Sequence, residues 1–68
     1  MRDPNRLDAF YARMAEIHKE ELPDLRFGQM CSVFFGWLLR NKEIDFFFPE
    51  EDKMLEYFEE FVKAIKRK

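Results

Sequence analysis

The chain has 68 residues, of which 47% are hydrophobic and 38% charged, with a formal net charge of −2. This length holds one domain with one core, so residues 1–68 are expected to form a single unit. The single cysteine cannot form an internal disulfide, and with the single histidine it provides too few ligands for a closed zinc site. We expect no cofactor and no metal. The single thiol and the lack of a signal peptide favour the cytoplasm. We expect no membrane span, because the longest apolar stretch, residues 27–39, is too short to cross a bilayer.

The first predicted helix covers about residues 4–21. Asp3 followed by Pro4 is a start signal, because an Asp side chain caps free backbone N–H groups and Pro fits the first helical turn. Apolar residues then recur at helical spacing. Pro23 ends the segment because it biases the preceding residue against helical geometry.

The second predicted helix covers about residues 25–41, with Asp24 as its cap. Apolar residues occupy well over half of its circumference, so we expect a central helix between the other two, with a second copy of the chain on its exposed flank. Gly28, Ser32 and Gly36 are spaced four apart and lie on one face. A glycine inside a helix costs roughly 1 kcal/mol relative to alanine, so this strip favours close helix packing against another backbone.

The third predicted helix covers about residues 50–66 and follows a connection that ends at Pro49. Its apolar residues form one stripe, and its acidic start and basic end complement the helix dipole. The three segments together predict an all-α, compact three-helix domain.

His18 and Cys31 are the first candidates for a catalytic pair, since a thiol near a general base is a nucleophile. Both belong to apolar helix faces, and no Gly-rich loop accompanies them, so we expect a rim histidine and a small buried hydrophobic residue. The adjacent carboxylates, such as Glu20 and Glu21, are typical of solvated faces. We therefore predict no catalytic residues and no enzyme activity.

The aromatic residues point to association. Three successive rings in the connection cannot all point inward, and aromatic residues and Met are favoured in interface cores. A small chain without a disulfide or metal also gains most from oligomerisation. The sequence favours a homodimer; a monomeric core that encloses these side chains and a foreign protein partner stay open as alternatives. The candidate association residues are Met30, Val33, Trp37, Phe46, Phe47 and Phe48.

The run Pro23-Asp24-Leu25-Arg26-Phe27-Gly28-Gln29-Met30 resembles a segment written roughly P-D-L-R-F-G-Q-L/M in a group of short uncharacterised proteins of bacteria and their phages. Residues 2–6 and 47–52 are similar to the same group, so the resemblance covers nearly the whole chain. Phe46 departs from it, since the group has Pro there. The resemblance implies no activity, cofactor or catalytic residue.

Three functions follow as hypotheses. The first is a non-catalytic, homodimeric interaction protein that binds a larger protein. The alternative is a phage-encoded inhibitor of a bacterial defence or host enzyme. A second alternative is weak nucleic-acid binding through Lys63, Lys66, Arg67 and Lys68. Nucleic acid is not the expected partner, because this basic patch is too small for useful affinity at physiological salt.

Overall fold

The computed structural model describes residues 2–66. In this part of the chain it contains α1 (Arg6–Glu21), α2 (Phe27–Asn41) and α3 (Glu51–Lys66), and no strand. The predicted all-α, three-helix fold is therefore confirmed. Each helix begins one or two residues later than predicted and ends where predicted. None of the three helices within residues 2–66 combines the length and apolarity that a membrane crossing needs.

The helix starts differ from the predicted caps. The Oδ1 atom of Asp3 accepts a hydrogen bond from the backbone N–H of Asn5 at 3.0 Å, but Asp3 caps a turn before α1, whose own cap position is Asn5. The prediction for Asp24 is wrong, because α2 begins at Phe27 and its cap position is Arg26. The backbone N–H of Arg26 is satisfied by Oε1 of Gln29 at 2.8 Å, so the cap bond comes from inside the helix.

Helix α3 is the element that packs against both others. No Cα atom of α1 lies within 8 Å of a Cα atom of α2, whereas α3 approaches each of them that closely. The predicted position of α2 between α1 and α3 is therefore corrected. Ion pairs join the first turns of α1 and α3 through Arg6 and Glu51, and their last turns through Glu21 and Lys66, so these two helices run parallel.

The core is built mainly from α2 and α3. Phe34 of α2 lies against Phe58 and Phe61 of α3, with ring centroids 5.0 and 5.4 Å apart. Edge-on and tilted contacts of this kind add to the stabilisation from burial alone. The rings therefore join α2 to α3 firmly. The buried residues are Ile17, Leu22, Met30, Phe34, Leu38, Phe58, Phe61 and Val62.

The strip of small residues on α2 does not pack against another helix of this chain. A Cβ atom added to Gly28 would meet nothing within 4 Å. One added to Gly36 would meet only the end of the Arg40 side chain, at 3.3 Å, and Ser32 is exposed. Within residues 2–66, then, no helix packs closely against Gly28, Ser32 and Gly36, because α3 covers the opposite stripe of α2, which Met30, Phe34 and Leu38 form.

Candidate binding groove

A groove of about 490 Å³ opens between α1 and α2. It exists because the backbones of α1 and α2 stay apart, while α3 packs against both helices. Met54 and Phe58 of α3 contribute to its floor. Its volume falls in the range of about 300–1,000 Å³ that is usual for binding pockets.

The walls of the groove are apolar and rich in aromatic rings. Phe10 and Met14 line it from α1, and Phe27 and Phe35 line it from α2. Helical spacing explains this, since residues four or eight apart lie on the same face of a helix. The groove therefore presents ordered rings over about two turns of each helix.

Five aromatic side chains at or beside the mouth of the groove are largely exposed, and we call them the aromatic rim. An exposed patch of several large apolar side chains on a small protein usually marks a binding surface. Four of the five line the groove, and the fifth, Phe48, contacts Phe47 edge to face at a centroid distance of 5.2 Å. The exposed fractions are Tyr11 61%, Phe27 68%, Phe46 51%, Phe47 78% and Phe48 73%.

A turn at Asp45 holds the end of the rim. Oδ1 of Asp45 accepts a hydrogen bond from the N–H of Phe47 at 3.0 Å, and its backbone carbonyl accepts one from the N–H of Phe48 at 3.3 Å. Phe46 turns back and stacks on Phe35, with ring centroids 4.4 Å apart. Phe47 and Phe48 are left projecting outward on a fixed turn.

Few polar groups face the groove. Nε2 of His18 lies 2.7 Å from the carbonyl oxygen of Leu25, which only accepts, so that nitrogen donates and the ring is held in place. Burial raises the pKa of the Cys31 thiol, which therefore stays protonated at neutral pH. Glu51 is bound to Arg6 at 2.7 Å, and this hydrogen bond lowers the pKa of its carboxyl group. The lining thus carries one charge, and that charge is paired.

The six predicted association residues do not form one surface. Met30 is buried in the core of the chain, so its prediction as an association residue is wrong. Trp37 is half-buried and lies edge-on to Phe61 at 5.8 Å, and the exposed Val33 does not line the groove. Phe46 and Phe47 do line it.

The sequence does not single out Phe10, Tyr11, Phe27 and Phe35 as site residues, because helical spacing does not distinguish a face that lines a groove from a face packed in the core. One signal was present: apolar residues occupy well over half of the circumference of α2, which is more than a single neighbouring helix covers. The groove lies between the facing sides of α1 and α2.

The basic residues near the carboxyl end are partly engaged within the chain. Nζ of Lys66 lies 2.8 Å from Oε1 of Glu21, and Lys63 is exposed. Arg67 and Lys68 lie outside the described residues. Between residues 2 and 66 no group of three or more His, Cys, Asp or Glu side chains is arranged to hold a metal ion.

Comparisons with protein-family models, with curated proteins and with solved structures find no match to the chain.

Proposed function

We propose that the protein is a non-catalytic interaction module that binds an apolar segment of a larger protein in the groove between α1 and α2. The observation that supports this most is the aromatic rim, since exposed Phe and Tyr side chains around a preformed groove are typical of protein interfaces. The rim and the groove lie together on one side of the molecule, so a single partner segment contacts both.

The dimensions of the groove suit a short helical segment. Phe10 and His18, which line opposite ends of the α1 wall, are eight residues apart, or about 12 Å along a helix axis. This length matches two turns of a partner helix, which would place two or three apolar side chains against the rings. Because the lining carries only one charge, which is paired, the contacting face of the partner is expected to be uncharged.

A catalytic role has little support in the same groove. Cys31 is the nucleophile available, and burial raises the pKa of its thiol, which lowers its reactivity at neutral pH. The Nε2 atom of His18 is committed to a backbone carbonyl. Neither side chain is activated in the way that nucleophilic catalysis requires.

Ala15 provides a test, because it lines the groove and is exposed on α1. Peptides selected for binding from a random displayed library are expected to be rich in apolar residues at helical spacing. Ala15→Trp fills the groove and should weaken their binding at least about tenfold, which is about 1.4 kcal/mol. The measurement is a fluorescence-anisotropy titration of each selected peptide.

Ala12→Trp is the matched control. Ala12 lies about one turn earlier on α1, is also exposed, and does not line the groove. The two variants add the same side chain to the same helix, so circular dichroism should not separate them. Equal peptide affinities in the two variants would contradict the groove as the binding surface.

A further inference from the structure

We infer that the groove also receives a second copy of this chain, with Phe47 and Phe48 of each copy entering the groove of the other about a two-fold axis. This inference rests on the proposed function in using the same groove as the binding surface. It adds the identity of one occupant, and it makes self-association and partner binding compete.

The shape of the surface is the first argument. A two-fold contact uses the same patch on both copies, so the patch must contain both a projection and a cavity that accepts it. Phe47 and Phe48 project from the Asp45 turn, and the groove opens beside them. The same face therefore supplies both halves of the contact.

The exposed area is the second argument. The exposed fractions of the five rim residues add up to more than three whole side chains. At roughly 200 Å² for each aromatic residue, the rim offers about 650 Å² per copy and about 1,300 Å² for a pair. This is above the ~1,000 Å² that a specific interface needs.

The charge at the two ends of the groove is the third argument. Arg26 precedes Phe27 at one end, and Asp45 precedes Phe46 at the other. Phe46 stacks on Phe35, which is eight residues, or about 12 Å, from Phe27 along α2. Neither charged side chain forms an ion pair within residues 2–66. A two-fold axis across the groove brings each Arg26 toward the partner copy's Asp45.

Sedimentation velocity from about 1 to 100 µM tests the pairing. We expect the unmodified chain to dimerise and the double variant Phe47→Ala/Phe48→Ala to dissociate at least about tenfold more readily, with unchanged circular dichroism because both rings are exposed. The control is Val33→Ala/Leu39→Ala, which removes two exposed apolar side chains that do not line the groove. A monomeric unmodified chain, or equal dissociation of the two double variants, would overturn the inference.

A charge reversal tests the orientation. Arg26→Glu should raise the dimer dissociation constant about tenfold at low salt, because the new carboxylate faces the carboxylate of the partner copy's Asp45. Added salt should reduce the difference between this variant and the unmodified chain. Arg40→Glu makes the same change at an exposed α2 position that does not line the groove, and should have little effect. Equal effects of the two reversals would overturn the two-fold arrangement.

Failure of this inference and failure of the proposed function give different results. If the unmodified chain is monomeric while selected peptides still lose affinity on Ala15→Trp, the second copy is excluded and the groove remains a binding surface. If the chain dimerises through Phe47 and Phe48 while Ala15→Trp leaves peptide affinity unchanged, the groove is a dimer interface and is excluded as the binding site of a larger partner.

Discussion

Glu43 is the one residue in the described part of the chain that has a positive φ. α2 ends at Asn41, and the N–H of Lys42 donates to the carbonyl oxygen of Leu38 at 2.9 Å. Glu43 then adopts a φ of 55°, in the left-handed region, where a residue with a Cβ atom is strained. Glycine is common at this position after the end of a helix. The left-handed geometry of Glu43 directs the chain from the end of α2 toward the aromatic rim.

Replacement of Glu43 by glycine should therefore stabilise the protein. Relief of a left-handed residue is worth about 1–2 kcal/mol, and the added freedom of the unfolded chain offsets about 0.5–1 of it. We expect a net gain of about 0.5–1 kcal/mol in the free energy of unfolding, measured by urea denaturation at fixed protein concentration. Glu43→Ala removes the same carboxylate but keeps the Cβ atom, so a similar gain from it would assign the effect to charge and contradict the argument.

Met30 and Val33 show how far a single residue could be assigned from the sequence. Both are apolar and lie three residues apart on α2, which is apolar over most of its circumference. The spacing of apolar residues therefore did not show which side of α2 is buried. Contact with Phe58 and Phe61 of α3 places the Phe34 stripe inward, which buries Met30 and leaves Val33 exposed. The choice depends on a neighbour more than twenty residues away in the chain.

At the scale of elements, α1 and α3 are aligned by ion pairs along their shared side. The guanidinium of Arg6 binds Glu51 at 2.7 Å in the first turns, and Arg13 lies 3.5 Å from Glu59 at the middle. Each such surface pair contributes little alone. Together they favour one register of the two helices, and that register fixes the floor of the groove.

The Arg6–Glu51 pair gives a pH dependence. Its hydrogen bond lowers the pKa of Glu51 in the folded protein below its value in the unfolded chain, about 4.3. The unfolded state therefore binds this proton more readily, so the pair's contribution is complete above that pH and is lost as pH falls through the folded-state pKa.

The Glu51→Gln variant tests this. We expect it to be less stable than the unmodified chain at pH 7 and to lose less stability on acidification below about pH 4.3, since one titrating group has gone. Urea denaturation over a pH series measures the difference. Glu56→Gln, at an exposed site on α3 whose Lys53 contact is longer at 3.5 Å, is the control. Identical pH profiles for the two variants would contradict a special role for Glu51.

The open strip of α2 gives an element-scale prediction that opposes the expectation from the sequence. Gly28→Ala adds a Cβ atom into open space and removes a poor helix former, so the free energy of unfolding should rise by up to about 1 kcal/mol. Thermal melting at low micromolar concentration measures it. Ser32→Ala, on the same exposed strip, reports the effect of a smaller change in helix propensity. A destabilising Gly28→Ala would mean that another backbone covers the strip.

The existence of the helices was predictable because the prolines and the spacing of apolar residues act locally. Pro4, Pro23 and Pro49 each lie within a few residues of a helix terminus, and the predicted bounds err only at the starts. The order of packing was not predictable in this way. Helical spacing shows which face of a helix is apolar, but the helix that covers this face is decided by contacts between residues far apart in the chain. The groove results from the way the three helices pack, so it was not predictable either.

At the scale of the whole molecule, the same arrangement that gives the core also leaves the groove open. Because α3 packs against both α1 and α2, the facing sides of α1 and α2 stay apart and form the walls of the groove of about 490 Å³. A chain this small gains limited stability from its own core, so covering the rim adds a substantial share of the total. Folding and self-association are therefore expected to be coupled.

This coupling predicts that the melting temperature depends on protein concentration. A tenfold increase in concentration favours a dimer by about 0.7 kcal/mol per chain, and for a domain of this size that raises the melting temperature by roughly 3 °C or more. Phe47→Ala/Phe48→Ala should show a weaker dependence of melting temperature on concentration, because less of it is dimeric at each concentration. Val33→Ala/Leu39→Ala should keep the slope of the unmodified chain, since those side chains lie outside the groove. Scanning calorimetry at three concentrations separates the outcomes, and a concentration-independent melt of the unmodified chain would show that one copy folds without help from another.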